Sequence, residues 1–234
     1  MFQFKQRHPR PELMDQPNLA PKDLQLNLIE LETINTLLGG YKTTFKGLAQ
    51  LMTDKPHEYH ILDIGCGGGD TIAATHSWAQ KNGFKVKFTG LDLSATAITQ
   101  SKKRCAHIDG AKFTVMPFQE LASSEQTFDI TMCSLFTHHF YGDDLKKLIK
   151  IMSEKSTVGF VINDLERNKI AWLSITLLTQ LLSKSYLVKH DAPLSVKRGF
   201  SKAEWKSILG DAGIVNYSVQ WSWAFRHCII SKNA

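Results

Sequence analysis

The chain has 234 residues, 43% hydrophobic and 21% charged, enough to bury about 70% of its unfolded surface, which excludes a disulfide-held miniprotein and a disordered tail. Lys and Arg number 28 against 22 Asp and Glu, a net +6 that is mild for a nucleic-acid binder. Cys66, Cys105, Cys133 and Cys228 form no C-x-x-C, so no metal site is expected and the reduced thiols of a cytoplasmic protein fit best.

The first residues, MFQFKQRHPRPELMDQP, carry charge and proline where a secretory signal needs an apolar stretch. Basic residues gather there (Lys5, Arg7, Arg10) and again at Lys184, Lys189, Lys197, Arg198 and Lys202. A solvated face is their first reading and a patch for an anionic partner the second. Leu24, Leu28, Leu31, Ile34 and Leu38 recur at steps of three or four, predicting an amphipathic helix over 21–38 that Gly39 and Gly40 stop. A second short helix is read over 43–52. A helical extension of residues 1–55 thus precedes the first strand, and packing on the core is preferred for it over covering a pocket.

Strands are read over 59–65 and up to Asp92, then over 111–115, 128–133 and 157–163, with helices over 70–80, 94–106, 143–152 and 166–182 between or after them. This alternation implies a parallel sheet covered on both faces. The apolar run 170–182 is shorter than the roughly 20 residues of a spanning helix, so no transmembrane segment is expected. Residues 187–200 have no clear period and contain Pro193, which reads as a surface loop. Ser201 and Glu204 form a capping box for a helix that Gly210 or Gly213 closes. Two late strands, 214–220 and 224–230, with 221–223 between them, form a hairpin. The sum is an α/β fold with a mostly parallel seven-stranded sheet and an antiparallel carboxyl-terminal edge.

The most informative segment is ILDIGCGGGD, 61–70. Glycines at 65, 67 and 69 permit positive φ and let a ligand approach the backbone. The dinucleotide fingerprint G-x-G-x-x-G fails, because Asp70 stands where its third glycine would be, and no Gly-Lys-Ser/Thr follows. A carboxylate there disfavours pyrophosphate and favours a ligand with a positive group. Asp63 in the strand is either a partner for turn N–H groups or a ligand contact. Asp92 ends the second strand, in GLDLS, where a carboxylate can accept from a ribose diol.

ILDIGCGGGD, GLDLS, FDITMCSLFTHHF and VINDL together resemble class I S-adenosylmethionine-dependent methyltransferases, in particular the small bacterial group similar to ubiquinone and menaquinone biosynthesis methyltransferases, over about residues 59–231. The resemblance implies the Rossmann-like methyltransferase fold, with residues 56–234 as the catalytic domain and 166–200 as an acceptor-side insert. It implies S-adenosyl-L-methionine as cofactor and S-adenosyl-L-homocysteine as product. It places Gly65 and Gly67 under the methionyl and ribose parts, Asp92 on the ribose, and Asp63 at the turn or, through water, at the methionyl amino group. Many relatives carry an acid near the adenine amino group after strand three, where this chain has Pro117. Adenine must then rely on the backbone of 116–118 and on Met116 or Leu93, with Phe118 beside them and Glu120 as a partial substitute.

Ligands in open α/β sheets lie beyond the carboxyl ends of the strands, so Ser134, Leu135, Phe136, His138 and His139 are expected at the site. Methyl transfer from a sulfonium is an in-line displacement that needs alignment and dryness rather than a protein nucleophile. A phenolic acceptor must lose a proton, and histidine suits that role near neutral pH. His139 is placed ahead of His138, on the expectation that the two point in different directions, and His190 with Asp191 forms a second candidate base pair. Asn163 and Asp164 orient the acceptor or cap the next helix, and Arg198 meets a carboxylate or phosphate or lies on a surface loop. The broad apolar surface of 167–182 suggests a small to medium, greasy, phenolic, quinone-precursor or polyketide-like acceptor. Oxygen methylation is preferred over carbon methylation, and a non-catalytic cofactor-binding scaffold is the remaining alternative. No nucleic acid partner is expected. Peripheral contact with a membrane surface, and a monomer or a homodimer, are all compatible with the sequence.

Overall fold

A computed structural model describes residues 4–16 and 18–233. In chain order its elements are α1 (Pro21–Leu37), α2 (Tyr41–Leu51), β1 (Glu58–Ile64), α3 (Asp70–Lys81), β2 (Lys85–Asp92), α4 (Ala95–Arg104), β3 (Lys112–Val115), β4 (Phe128–Ser134), α5 (Gly142–Glu154), β5 (Ser156–Leu165), α6 (Lys169–Leu182), α7 (Tyr186–Arg198), α8 (Lys202–Asp211), β6 (Tyr217–Ser222) and β7 (Arg226–Lys232). Short 3-10 turns occupy Leu13–Asp15, Phe118–Ser123 and Thr137–His139.

The seven strands form one sheet in the order β3-β2-β1-β4-β5-β7-β6. The first five pair in parallel, while β7 runs antiparallel to both β5 and β6. Alternation along the central strands sends side chains to opposite faces. Leu62, Ile64, Phe160, Ile162 and Ile229 join one buried cluster with Leu148 and Trp205, on the side of α5 and α8. Ile61, Ile130, Val161, Cys228 and Ile230 join a second with Leu48, Ile72 and Ile98, on the side of α2, α3 and α4. Strand order reverses between β1 and β4, so their carboxyl ends diverge into a crevice.

Three expectations are corrected. Residues 187–198 belong to a helix, not a surface loop: α7 hides Leu187, Val188, Asp191, Ala192, Leu194, Val196 and Arg198. Apolar side chains all around it erase the amphipathic period, and Pro193 lies inside it, forgoing one backbone hydrogen bond. Asn163 and Asp164 do not cap the next helix, because they belong to β5, and the cap of α6 is Asn168, whose side chain accepts from Ile170 and Ala171 N–H. The hairpin turn falls at 223–225, which puts Trp221 and Ser222 inside β6. The capping box at Ser201 and Glu204 is present, and Gly213, at φ 77°, rather than Gly210, ends α8.

Among the described residues, no helix is long and apolar enough to cross a membrane.

Candidate active site

Beyond the carboxyl ends of β1, β2, β4 and β5 lies one cavity of about 1070 Å³. Small-molecule sites run to about 300–1,000 Å³, which puts this cavity at the top of that range.

Its floor is the glycine turn. Gly65 and Cys66 N–H both donate to Leu91 O, at 2.8 and 2.9 Å, which ties the turn to β2. The glycines serve separate purposes. A Cβ on Gly65 would stand 2.2 Å from the Phe136 ring, and one on Gly69 would stand 3.1 Å from the backbone of Ser101 on α4. Gly67, at φ 51°, lines the cavity with the most room around it, only Leu28 coming within 4 Å of a Cβ built there. Asp92 Oδ2 accepts from Gly67 N–H (2.9 Å) and Oδ1 from Ser94 N–H (2.8 Å), so this carboxylate holds the turn while lining the cavity.

Asp63 lines the same floor with 1% of its surface exposed, and its Oδ1 has no partner. Burial, with Asp70 and Asp92 adding negative charge, holds its carboxyl well above the ordinary range. Asp70 accepts from the Tyr41 hydroxyl at 2.7 Å. At the adenine end expected from the sequence, Leu93, Met116 and Phe118 line the cavity together with Gln119, which sequence reasoning missed; Glu120 is exposed and not among the lining residues. Ser134 and Leu135 also line it, and Leu135 has φ 53°, a conformation that costs a non-glycine residue energy and clusters at functional sites.

A buried polar cluster also lines the cavity. His138 Nδ1 donates to Asp164 Oδ1 at 2.7 Å, and the Thr137 hydroxyl and His138 N–H both donate to Asp164 Oδ2. His138 Nε2 faces Glu12 Oε1 at 3.4 Å. His139 Nδ1 is 3.1 Å from the Asp15 carboxylate, and its Nε2 is 3.8 Å from Glu12 Oε2. Burial works against the charged ring of His138, but Asp164 and then Glu12 outweigh it and hold that group up to about 9. The expectation that the two histidines point apart is therefore corrected: their rings lie 4.5 Å apart and both meet Glu12.

Glu12 and Asp15 come from a segment in which the sequence showed no site. Asp191 holds that segment by accepting from Leu13 and Met14 N–H at 2.8 and 2.9 Å. His190 is bonded to Asp191 at 2.7 Å but does not line the cavity. Arg198 is buried rather than on a surface loop; it donates to the carbonyls of His138, His139 and Arg10. Arg7, too, is not part of a solvated face: it donates to Arg198 O, Phe140 O and His138 O and stacks on Tyr141 and Phe200. Burial lowers its guanidinium to about 10, against the partial support of Tyr141 and Asp164.

Helices close the sides. Leu24, Leu28, Leu31 and Ile34 of α1, with Leu38 just past it, line the cavity, so this stripe faces the pocket. One face of α6 contributes Ala171, Ser174, Ile175 and Leu178 to the wall, while Ile170, Leu173, Leu177 and Leu181 on its other face are exposed.

A family model described as "Methyltransferase domain" matches residues 61–155. Among solved structures, the plantazolicin methyltransferase BpumL, in complex with a monoazolic desmethylPZN analog and SAH, aligns at TM-score 0.64 and 18% identity over 91% of this chain and 90% of that one. Magnesium protoporphyrin IX methyltransferase from Synechocystis PCC 6803, with bound SAM, aligns at 0.56 and 14% identity over 87% and 84%. An O-methyltransferase family protein from Burkholderia thailandensis aligns at 0.55 and 12% over 75% of this chain, which spans 51% of that longer one. No curated protein matches the chain in sequence. The fold is that of class I S-adenosylmethionine-dependent methyltransferases.

Proposed function

We propose that this protein transfers the methyl group of S-adenosyl-L-methionine to a small or medium apolar acceptor of phenolic, quinone-precursor or polyketide type, at oxygen in preference to carbon, and releases S-adenosyl-L-homocysteine. The observation that carries this reading is one cavity lined both by a glycine turn with two acids and by a histidine–carboxylate cluster. The narrower likeness to ubiquinone and menaquinone methyltransferases rests on the sequence motifs alone.

The residues present suit the cofactor. The unpartnered Oδ1 of Asp63 is a costly buried acceptor, and an ammonium group beside it relieves that cost. Asp92 keeps lone pairs for hydroxyl donors while holding Gly67 in place. Gln119, with the backbone of 116–118, offers polar groups to a purine edge where Pro117 supplies none. Leu93, Met116, Phe118 and Leu135 supply the apolar contacts. The bound cofactor brings a methyl group already activated on a sulfonium, so the chain's own work is alignment and exclusion of water.

The rest of the wall includes the apolar Ile175 and Leu178 of α6, which suits an apolar body with one polar group turned toward Glu12, His138 and His139. His139 is the more open of the two histidines, with 14% of its side chain exposed against 3%. The acceptor proton is given up at this cluster. Residues 1–55 act as the cover of the site and 166–200 as its acceptor-side insert. Four buried, unpaired cysteines support a reducing, cytoplasmic setting.

The test is incubation of a small-molecule extract with methyl-labelled cofactor. The reading expects a labelled product that wild-type protein forms and Asp92→Ala (D92A) forms slowly. Absence of any labelled product, together with no binding of the cofactor, would end it.

A further inference from the structure

His138 and His139 are held in the same way. Each turns its Nδ1 to a carboxylate, Asp164 at 2.7 Å and Asp15 at 3.1 Å. A carboxylate accepts only, so each partner holds an Nδ1–H and turns Nε2, the ring's other ligating atom, away from itself. Both Nε2 atoms then face one further carboxylate, Glu12, His138 at 3.4 Å from Oε1 and His139 at 3.8 Å from Oε2.

The longer separation exceeds a hydrogen bond, and the two run to different oxygens of Glu12, but both lie near the length of an edge in a coordination polyhedron. Donors about 2.1 Å from a zinc-sized ion at tetrahedral angles stand about 3.4 Å apart. One donor atom from each of the three residues lies within 4.8 Å of the other two. The set is also rigid: Glu12 is 2% exposed and its Oε1 accepts from the Ser195 hydroxyl at 2.9 Å. Arg198 Nε stands 3.7 Å from the same Oε1, which leaves Oε2 as the oxygen better placed for a second cation.

We propose that Glu12, His138 and His139 form a binding site for a divalent transition-metal ion of the zinc class, with its remaining coordination positions open to the acceptor end of the cavity. Asp164 and Asp15 orient the two imidazoles as outer partners. Ligation uses neutral imidazole and an ionised carboxylate. Three protein donors are the complement of catalytic sites, which keep a position free, rather than of closed structural ones. An acceptor hydroxyl in that position is held and acidified together. Only this last role rests on the proposed methyl transfer; the ion site stands on the geometry of the cluster.

The deciding experiment strips the full-length protein with a chelator and titrates it with Co²⁺, then Zn²⁺. The expected result is visible cobalt absorption that saturates at one equivalent and is displaced by zinc, with zinc raising the melting temperature. His139→Ala should fold normally without metal, judged by circular dichroism, yet bind cobalt at least about 100-fold more weakly. Asp15→Asn leaves all three donors in place and should weaken binding by about 10- to 100-fold. Failure of the wild type to bind one equivalent, or equal binding by His139→Ala, overturns the proposal. Calorimetry with S-adenosylmethionine on the same metal-free protein separates the two readings. Cofactor binding there with no cobalt binding removes the ion site alone, whereas cobalt binding with no cofactor binding removes the methyl-transfer reading alone.

Discussion

His138 is joined to Asp164 twice, through its ring Nδ1 to Oδ1 at 2.7 Å and through its backbone N–H to Oδ2 at 3.0 Å. The side chain and the main chain of one residue are thus fixed by one carboxylate, which the end of β5 delivers from below. This bond, with the Thr137 hydroxyl on the same oxygen, sets the Thr137–His139 turn against the sheet and aims both histidines at Glu12.

Replacing that carboxylate should therefore cost both stability and site geometry. Asp164→Ala leaves a buried imidazole and a buried hydroxyl without their acceptor, and breaking a buried charged network in this way costs about 3–5 kcal/mol. Denaturant unfolding should show a loss of that size. A change under about 1 kcal/mol would mean that the turn is held by something other than Asp164.

Asp63→Asn should separate stability from binding. The raised carboxyl makes the folded chain hold its proton more tightly than the unfolded chain does, so as pH climbs from the ordinary value of 3.8 toward the raised one the unfolded chain gives up that proton first and the fold loses stability. Thermal melts should find Asp63→Asn more stable than wild type at neutral pH, with the gain fading toward pH 4 and below. Cofactor affinity should fall about tenfold, about 1.4 kcal/mol. A variant that is less stable at neutral pH, or that binds the cofactor as the wild type does, contradicts the role given to Asp63.

Gly65 and Gly110 form a matched pair, both at φ 72°, but a Cβ on Gly110 meets nothing within 4 Å whereas one on Gly65 meets Phe136 at 2.2 Å. Gly110→Ala should cost about 1–2 kcal/mol from backbone strain alone. Gly65→Ala should cost clearly more, because the Phe136 ring must also move. Equal losses would show that the ring does not press on the turn.

Much of this arrangement is written locally. The span 59–65 reads as a strand and folds as Glu58–Ile64, because an apolar run bounded by glycine leaves few alternatives, and Asp92 stands at a strand end for the same reason. The site's other half depends on partners far away in the chain. Glu12 meets His138 across more than a hundred residues with no local pattern to announce it, and Arg7 and Arg198 look like solvated charge until the carbonyls of 138–140 are brought to them. In α7 the buried surroundings removed the periodicity that marks a helix, and Pro193 pointed the wrong way.

Asp92→Ala should leave Gly67 and Ser94 N–H groups without acceptors, costing about 1–3 kcal/mol of stability, and should weaken cofactor binding at least about tenfold. Because Asp92 both holds the turn and faces the ligand, the two losses should appear together. Binding that survives unchanged in a destabilised variant would confine Asp92 to the turn.

The most direct measurement is calorimetric titration of the wild-type protein with S-adenosylmethionine, S-adenosylhomocysteine and NAD. One equivalent each of the first two should bind, with no heat from the third. Heat from NAD and none from either sulfur compound would contradict the account at its base.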